Sequence, residues 1–437
     1  MVFYSRFSRT LLTVALGICL VGVACAQHPI APSLSSNPGA KYSIFLDFAG
    51  FKYNGNWGGH TPGNVPAYTI DADPSTFNTA EVAAIKEAWV RTAQAYVGFN
   101  INVTTVDLAT PGLSDALRQT FYDNTQYMTH TIIGGTYNWF GASGGVSYVG
   151  VAQQATTTNG MRTNWVFPVN GTGTNPKSVS SATTHEDGHH LSLQHQTDEN
   201  NGGGYSSNNG ASGNGSYAPI MGTTYNSQRA TWRLGKPGTN ANDVSVLESN
   251  LDIGPLLDSG VGHTLATAST LAVNLDGTIN AAMAKSFIMP KSTTGYSAVG
   301  ENSYTKDYFA FLSNGGPITL TANDGSEFLQ LGIADPGATM RSILRILDGN
   351  GNVLGTSSED STTLVHTWSG NLGVGTYYAQ VVSYGAYVSN YEPNSNYFNM
   401  GAYFLSGSGF SPVPEPTSIL VMLGGIGFLV VRRRKKV

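Results

Sequence analysis

The stretch HEDGHHLSLQH at residues 185–195 is the part of this 437-residue chain that decides its fold and its chemistry. Residues four apart on an α-helix are separated by about 40° around the axis and about 6 Å along it, so His185 and His189 share one face. Two imidazoles in that arrangement can bind one zinc ion. Glu186 follows the first histidine, and its carboxylate can reach a water molecule beside that ion. The spacing therefore predicts an active-site helix.

The third histidine of the stretch, His195, can join this pair only if the helix ends first. Ten residues of continuous helix would rotate its ring away from the shared face, whereas a break near Ser192 would bring it back. Three nitrogen ligands then leave a fourth position open, which is typical of catalytic zinc. His190 lies about 100° around the helix from His189 and is not expected to bind the metal. A second arrangement, in which Glu199 or another acid supplies the third ligand, stays open.

This stretch resembles the long zinc-binding motif HExxHxxGxxH of the metzincin metallopeptidases, in particular their secreted bacterial reprolysin-like members. The resemblance covers about residues 42–256 and includes APIMG at 218–222, which is similar to the family's Met-turn. It implies that the three histidines bind zinc, that Glu186 is the general base and that Met221 forms an apolar floor beneath the metal. Ser192 departs from the motif, because the family has glycine at this sharp turn, where a positive φ strains any other residue.

The same resemblance implies two further parts of a substrate cleft. Tyr225, four residues after Met221, is a candidate for stabilising the transition state, although a packed aromatic ring is the simpler interpretation. An edge strand would bind an extended peptide through its free backbone groups, and the candidate residues are Gly145, Val146, Ser147 and Tyr148. An ordinary structural strand would have the same sequence pattern.

Around the motif, the first half of the chain alternates between predicted strands and helices. Asn78 and Glu81 have the spacing of a capping box at a helix start, and apolar residues then recur at helical spacing. The β-branched run at 101–106 predicts a strand. We therefore predict an α/β (α+β) fold over residues 41–256, a metzincin-like catalytic domain with a mixed twisted sheet and an active-site helix. Residues 27–40, rich in Pro, Ser and Asn, are predicted to be a linker.

The second half of the chain has a different texture. Helical periodicity disappears after about residue 254, and short strands alternate with turns rich in Gly, Asn and Asp. This pattern predicts an all-β sandwich over 262–408. Aromatic strands at 307–311 and 375–381 resemble the pre-peptidase C-terminal domain appended to secreted bacterial peptidases. The segment DGNGN at 348–352 has the composition of a calcium loop, but a turn between two strands is the better interpretation, and nothing else supports Ca²⁺.

Both ends of the chain have the pattern of sorting signals. Residues 1–26 combine two arginines, an apolar run and a small-residue cleavage site, which is typical of a secretory signal peptide; a lipoprotein signal at Cys25 is the weaker alternative. The tail at 413–437 carries a Pro-Glu-Pro motif, an apolar run at 417–431 and a basic end. It resembles the PEP-CTERM signal, which implies an exosortase-type partner, transient membrane anchoring by 417–431, and release to the surface or extracellular matrix of a Gram-negative bacterium. A short permanent anchor is the alternative.

Composition narrows the classes of function further. Seven of the 22 basic residues but only one of the 27 acidic residues lie in the two end segments, so the middle of the chain is acidic, and nucleic-acid binding is not expected. Both cysteines lie in the predicted signal peptide, so the exported chain has no disulfide. We expect a secreted zinc endopeptidase with one catalytic zinc ion, acting on proteins or peptides. The competing hypothesis is a non-catalytic matrix or adhesion protein that retains a metal-bound pseudo-peptidase scaffold.

Overall fold

The computed structural model of the chain describes residues 28–158, 160–198, 204–205, 213–232, 243–250, 257–289, 306–325, 339–360, 365–383 and 400–412. The predicted signal peptide, the predicted sorting tail and Glu199 lie outside these ranges. Within them, no helix combines the length and the apolar character that crossing a bilayer requires.

Helices and strands alternate in the first half of the chain, whereas strands dominate the second. The helices are α1 (Thr79–Ala95), α2 (Asp115–Asp123), α3 (Pro176–His190) and α4 (Asp243–Asn250). The strands of the first half are β1 (Tyr42–Asp47), β2 (Phe51–Lys52), β3 (Asn64–Val65), β4 (Ile101–Thr104), β5 (Met128–Ile133), β6 (Gly145–Val146), β7 (Thr163–Val166), β8 (Thr197–Asp198), β9 (Gly204–Tyr205), β10 (Gly213–Pro219) and β11 (Ser227–Thr231). Those of the second half are β12 (Ser269–Thr270), β13 (Lys285–Ile288), β14 (Lys306–Asp324), β15 (Ser342–Leu347), β16 (Val353–Thr356), β17 (Ser358–Asp360), β18 (Val365–Ser383) and β19 (Gly401–Ser408).

A five-stranded mixed sheet is the centre of the first half, in the order β4-β1-β5-β7-β6. The first four strands are parallel, and β6 pairs antiparallel with β7 at one edge. Helices α1 and α3 cover one face of the sheet, and an aromatic cluster that includes Phe45, Phe51 and Trp165 covers the other. The predicted mixed α/β architecture is therefore confirmed. Strand β6 lies at one edge of the sheet and covers residues 145–146, the first two of the four residues 145–148 considered as an edge strand.

The predicted start of helix α1 is confirmed in detail. The Asn78 side chain accepts hydrogen bonds from the backbone N–H groups of Ala80 and Glu81, at 2.8 and 3.0 Å. Glu81 in return accepts from the backbone N–H of Asn78 at 2.9 Å. Both halves of a capping box are present, so the first-turn donors of the helix are satisfied locally.

Residues at the predicted linker pack along the opposite edge of this sheet. The backbone N–H of Ser36 donates to the carbonyl of Val103 at 3.1 Å, and that of Thr105 donates to the carbonyl of Leu34 at 3.0 Å. These bonds cover the edge of β4, whose backbone groups would otherwise be unpaired. The segment therefore lies at the sheet edge farthest from β6.

The second half contains an antiparallel sheet in the order β13-β19-β14-β18-β15-β16, which resembles a β-sandwich around its own apolar core. Strands β14 and β18 are 19 residues each and pair along almost their whole length. Gly315 and Gly316, with φ values of 90° and 118°, lie near the middle of β14. Both glycines accept this backbone conformation, so β14 continues through them. The aromatic strands expected at 307–311 and 375–381 lie within β14 and β18, which are longer than the sequence indicates.

The two halves share a buried contact. Met289 packs against Gly98 of the first half, where even a methyl group in place of hydrogen would collide with the Met289 side chain. The Leu257 N–H donates to the Gly98 carbonyl at 2.7 Å, and the buried Arg229 of β11 donates to the Thr339 carbonyl at 3.4 Å. Side chains of the second half therefore complete the core of the first.

Candidate metal centre

Helix α3 carries the first two histidines of the motif and ends before the third, as expected if His195 is to join them. Asn175 begins it, accepting a hydrogen bond from the Lys177 N–H at 2.9 Å, with Pro176 in the first turn. The helix ends at His190, five residues before the third histidine. The break expected near Ser192 is therefore present.

Ser192 supplies the reversal that follows the helix. Its φ is 79°, in the left-handed region that favours glycine. The Ser192 N–H donates to the His189 carbonyl at 2.9 Å, and the Leu193 N–H donates to the Gly188 carbonyl at 2.9 Å. These bonds hold the turn although the residue is not glycine, and the chain then returns His195 toward the helix.

The three histidines His185, His189 and His195 converge. One ring nitrogen from each lies within 4.8 Å of the other two, and the Nε2 atoms of His189 and His195 are 2.9 Å apart. The His185 Nδ1 lies 2.9 Å from the Ile220 carbonyl and the His189 Nδ1 lies 2.8 Å from the Leu193 carbonyl. Each of these Nδ1 atoms must carry the proton, because a carbonyl only accepts, so each Nε2 keeps its lone pair for a metal.

The donor set fits zinc. Zinc–nitrogen bonds of about 2.0–2.1 Å place the ligand nitrogens of a tetrahedral site about 3.4 Å apart, and the observed spacing brackets that value. Burial lowers the pKa of His185 to about 3, reinforced by the neighbouring His189, and burial likewise lowers the pKa of His195 to about 4. Burial also lowers the pKa of His189. All three rings are therefore neutral near pH 7, the form that binds metal.

Glu186 lies between the histidines and the edge strand. It is buried, and a methyl group on Gly145 would lie 2.7 Å from its Cγ and 3.0 Å from its Oε1. Only glycine lets the strand approach the carboxylate this closely. Burial first, and the adjacent Asp187 second, hold the pKa of Glu186 well above its ordinary value. A cation bound by the histidines would lower that pKa again.

Met221 lies beneath the helix, as the Met-turn resemblance implies. It is fully buried, and its Sδ would be 2.5 Å from a methyl group on Gly188. Its carbonyl accepts from the Gln196 N–H at 2.8 Å, next to the third histidine. The preceding Ile220 carbonyl is the partner of His185. The turn therefore contacts the segments that carry both outer histidines.

Tyr225 and the rest of the edge strand lie at the same cleft. Tyr225 is 39% exposed, and its hydroxyl lies so close to Gly144 that a methyl group there would collide with it. Its backbone carbonyl accepts from the Lys177 ammonium at 2.9 Å. Ser147 and Tyr148 continue from β6 and are half-buried. The structure thus brings together the histidines, the carboxylate, the tyrosine and the strand that the sequence singled out.

The structural role of Asp187 was not predicted from the sequence. This residue is fully buried, and its Oδ1 accepts from the Thr131 hydroxyl at 2.6 Å and from the Asn164 amide at 2.9 Å. Burial raises its pKa to about 7, against the effect of those two donors. These bonds attach α3 to strands β5 and β7. The feature of the sequence that could have indicated this role is a single acidic residue on the side of the helix that faces the sheet.

Two other predictions concern metal binding. His190 is fully buried, neither ring nitrogen has a hydrogen-bond partner among the described residues, and it is not part of the cluster formed by the other three histidines. In the segment at 348–352, the Asp348 carboxylate accepts from the backbone N–H groups of Asn350 and Asn352 and from the Asn352 amide, all at 2.8–2.9 Å. These contacts are those of a closed turn.

Comparison with known proteins supplies no family for the chain. No protein-family model matches it, and no curated protein matches it in sequence. The pre-peptidase C-terminal domain of collagenase from Bacillus anthracis is 14% identical, with a TM-score of 0.18, over 31% of this chain and 90% of that chain. A family 35 carbohydrate-binding module from Cellvibrio japonicus Abf62 is also 14% identical, with a TM-score of 0.18, over 33% of this chain and 90% of that chain. Scores of this size carry no argument about function.

Proposed function

We propose that this chain is a secreted zinc-dependent endopeptidase of metzincin type. The observation that carries the proposal is the convergence of three neutral imidazoles, one ring nitrogen from each within 4.8 Å of the others, next to a buried carboxylate and a sheet edge. His185, His189 and His195 would hold the ion, which when bound would supply Lewis-acid polarisation of a peptide carbonyl and of water.

Glu186 is the general base in this proposal. It accepts a proton from the water that attacks the peptide carbonyl carbon, and it delivers that proton to the amine nitrogen as the C–N bond breaks. Its position fits both steps, because its side chain lies against Gly145 at the edge where the substrate would lie. Tyr225, whose hydroxyl lies close to Gly144, would donate a hydrogen bond to the carbonyl oxygen as charge develops there.

Strand β6 would bind the substrate backbone. It pairs only with β7 among the described strands, so the N–H and C=O groups on its other side can pair with an extended peptide. The predicted sorting signals add a location to the proposal. The segment at 1–26 would direct export, and an exosortase-type enzyme would process the tail. The enzyme would then act at the cell surface or in the extracellular matrix.

Two measurements on one variant pair test this proposal. Glu186→Gln is expected to keep its zinc but to cleave an unfolded protein such as casein about 10²–10⁴-fold more slowly, because a positioned base contributes that much. Glu87→Gln, at a partly exposed residue of α1 that pairs with Arg91, is the matched control and should cleave like wild type. Equal cleavage by wild type and Glu186→Gln would contradict the base role.

The zinc-loaded wild-type protein also distinguishes the peptidase proposal from the competing hypothesis. A non-catalytic adhesion protein would load zinc, bind surface polymers and show no chelator-sensitive cleavage. Two features favour this alternative: the strain at Ser192, which bears on how tightly His195 is positioned, and the lone Asp187 beside Glu186. Chelator-sensitive cleavage by the zinc-loaded wild type would exclude it.

A further inference from the structure

Five ring-bearing side chains form a continuous surface beside strand β6, here called the aromatic wall: Trp57, His60, Trp139, Phe140 and Tyr148. Trp57 is buried, whereas the other four are half-buried. The centroid of the Trp57 ring lies 4.7 Å from that of Tyr148, 6.0 Å from that of Trp139 and 6.2 Å from that of Phe140. The wall is therefore one packed unit built around Trp57.

The central ring of the wall is fixed in position. The Trp57 Nε1 donates to the Thr163 carbonyl of β7 at 2.9 Å, and Trp57 and His60 exchange two backbone hydrogen bonds at 2.8 and 2.9 Å. The His60 Nδ1 lies 3.0 Å from the Trp139 carbonyl. The rings are therefore arranged before any ligand arrives, which lowers the entropic cost of binding one.

The aromatic wall and the metal centre lie on opposite faces of β6. Gly145 pairs with Val166, which belongs to the core shared with α3, and Glu186 lies against Gly145. Val146 pairs with Trp165 and packs on the other side, in the cluster that contains Trp57. Side chains of an added strand alternate between the two faces, so every second residue of a bound peptide would point toward the aromatic wall.

The direction of β6 places the aromatic wall on one side of the scissile bond. The segment begins beside Glu186 at Gly145 and reaches the end of α3 at Gly150, whose N–H donates to the His189 carbonyl at 3.0 Å. Antiparallel pairing is the commoner arrangement of neighbouring strands, and a peptide paired in this way runs from Tyr148 toward Gly145. Residues that contact the wall therefore precede the bond to be cleaved, by about 10 Å for three residues of strand.

We propose that the aromatic wall is a substrate-selecting subsite for an aromatic or large apolar side chain two to four residues before the scissile bond. This inference rests on the peptidase function proposed above. Four rings of the wall are half-buried and therefore partly accessible. Beside a strand edge, such rings can offer a second ring both apolar burial and favourable ring–ring geometry.

Peptide series cleaved by the purified protein test this subsite. One series carries Phe in place of Ala at each position from four before to four after the cleaved bond. We expect kcat/KM to rise about five- to tenfold for Phe at one of the positions two to four before the bond, the gain of partly burying one aromatic ring. Binding of the same peptides to Glu186→Gln, followed by calorimetry, should show the same preference without turnover.

Variants of the aromatic wall test whether its rings cause the preference for Phe. Tyr148→Ala and Phe140→Ala should each reduce the preference to below about twofold, in cleavage and in binding alike. Tyr148→Phe keeps the ring and should keep the preference. Tyr308→Ala, at a half-buried tyrosine of the second sheet, is the matched control, and thermal denaturation checks that each variant is folded.

Several results would overturn the inference. The first is cleavage that shows no preference for Phe at the positions two to four before the bond. The second is a preference for Phe only at positions after the bond. The third is a preference for Phe that survives in both folded alanine variants. Failure of the peptidase proposal looks different, because the zinc-loaded protein would cleave nothing while the Glu186→Gln binding series still reports on the subsite. Binding of a polysaccharide that is lost in Tyr148→Ala, with no effect of Phe on peptide binding, would assign the rings to another ligand.

Discussion

Replacing Ser192 with glycine should stabilise the protein slightly, because the turn after α3 is strained. A non-glycine residue in the left-handed region costs about 1–2 kcal/mol, and Ser192 has a φ of 79°. Glycine removes that strain but gains backbone freedom in the unfolded chain, which costs about 0.5–1 kcal/mol. The expected net gain in the free energy of unfolding is about 0.5 kcal/mol, which corresponds to roughly 1–2 °C in Tm for a domain of this size.

The matched comparison is Ser192→Ala, which keeps the Cβ and therefore the strain. Chemical denaturation of the three proteins without metal should rank glycine as the most stable, with alanine no better than serine. Zinc titration should show that glycine binds the ion at least as tightly as serine, because the turn positions His195. A glycine variant that is less stable than the alanine variant would refute the assignment of strain to this residue.

Two further predictions concern the strand edge and the second sheet. Gly145→Ala should lower kcat/KM about tenfold or more, since its methyl group would collide with the Trp165 carbonyl of β7 and with the Glu186 side chain, and would therefore displace the carboxylate from the strand edge. Gly349→Ala, where a methyl group meets open space, should have no effect on peptide cleavage. Equal rates for both variants would show that the close approach is unimportant. His263 has a pKa raised to about 9, chiefly by its hydrogen bond to Asp307. Because this folded-state pKa is raised, its stabilisation is complete below about pH 6.5 and disappears as pH rises through about 9. The loss should be on the order of 1 kcal/mol, since water screens the partly exposed imidazole although Asp307 is buried. Urea denaturation at pH 6 and pH 10 should show it in wild type and not in His263→Gln. A pH-independent difference between the two proteins would contradict it.

The parts of the site that the sequence predicted depend on local geometry. The pairing of His185 with His189 follows from helical spacing, and the break at Ser192 was required if His195 was to return. The capping box at Asn78 is likewise a relation between residues three apart. Each of these three features depends on residues that are close together in the chain, so the sequence pattern alone is enough to predict it.

The parts that it could not predict depend on tertiary contacts. The carbonyl of Ile220 orients His185 from a turn 35 residues later, and a backbone carbonyl leaves no trace in a sequence. The attachment of Asp187 to Thr131 and Asn164 requires knowing which strands lie beneath the helix. The packing of Met289 on the first half could not be inferred either, because a single methionine in a loop has no characteristic pattern.

Zinc content per chain, measured with the affinity for zinc, tests the central claim most directly. Wild type should hold one zinc ion, and His195→Ala should bind it at least about 100-fold more weakly, because loss of a ligand should exceed the 10–100-fold effect of losing a residue that only orients one. His60→Ala, at a half-buried histidine of the aromatic wall, should bind zinc like wild type. If His195→Ala retained wild-type affinity, the three rings would not share one ion, and the proposed chemistry would have no centre.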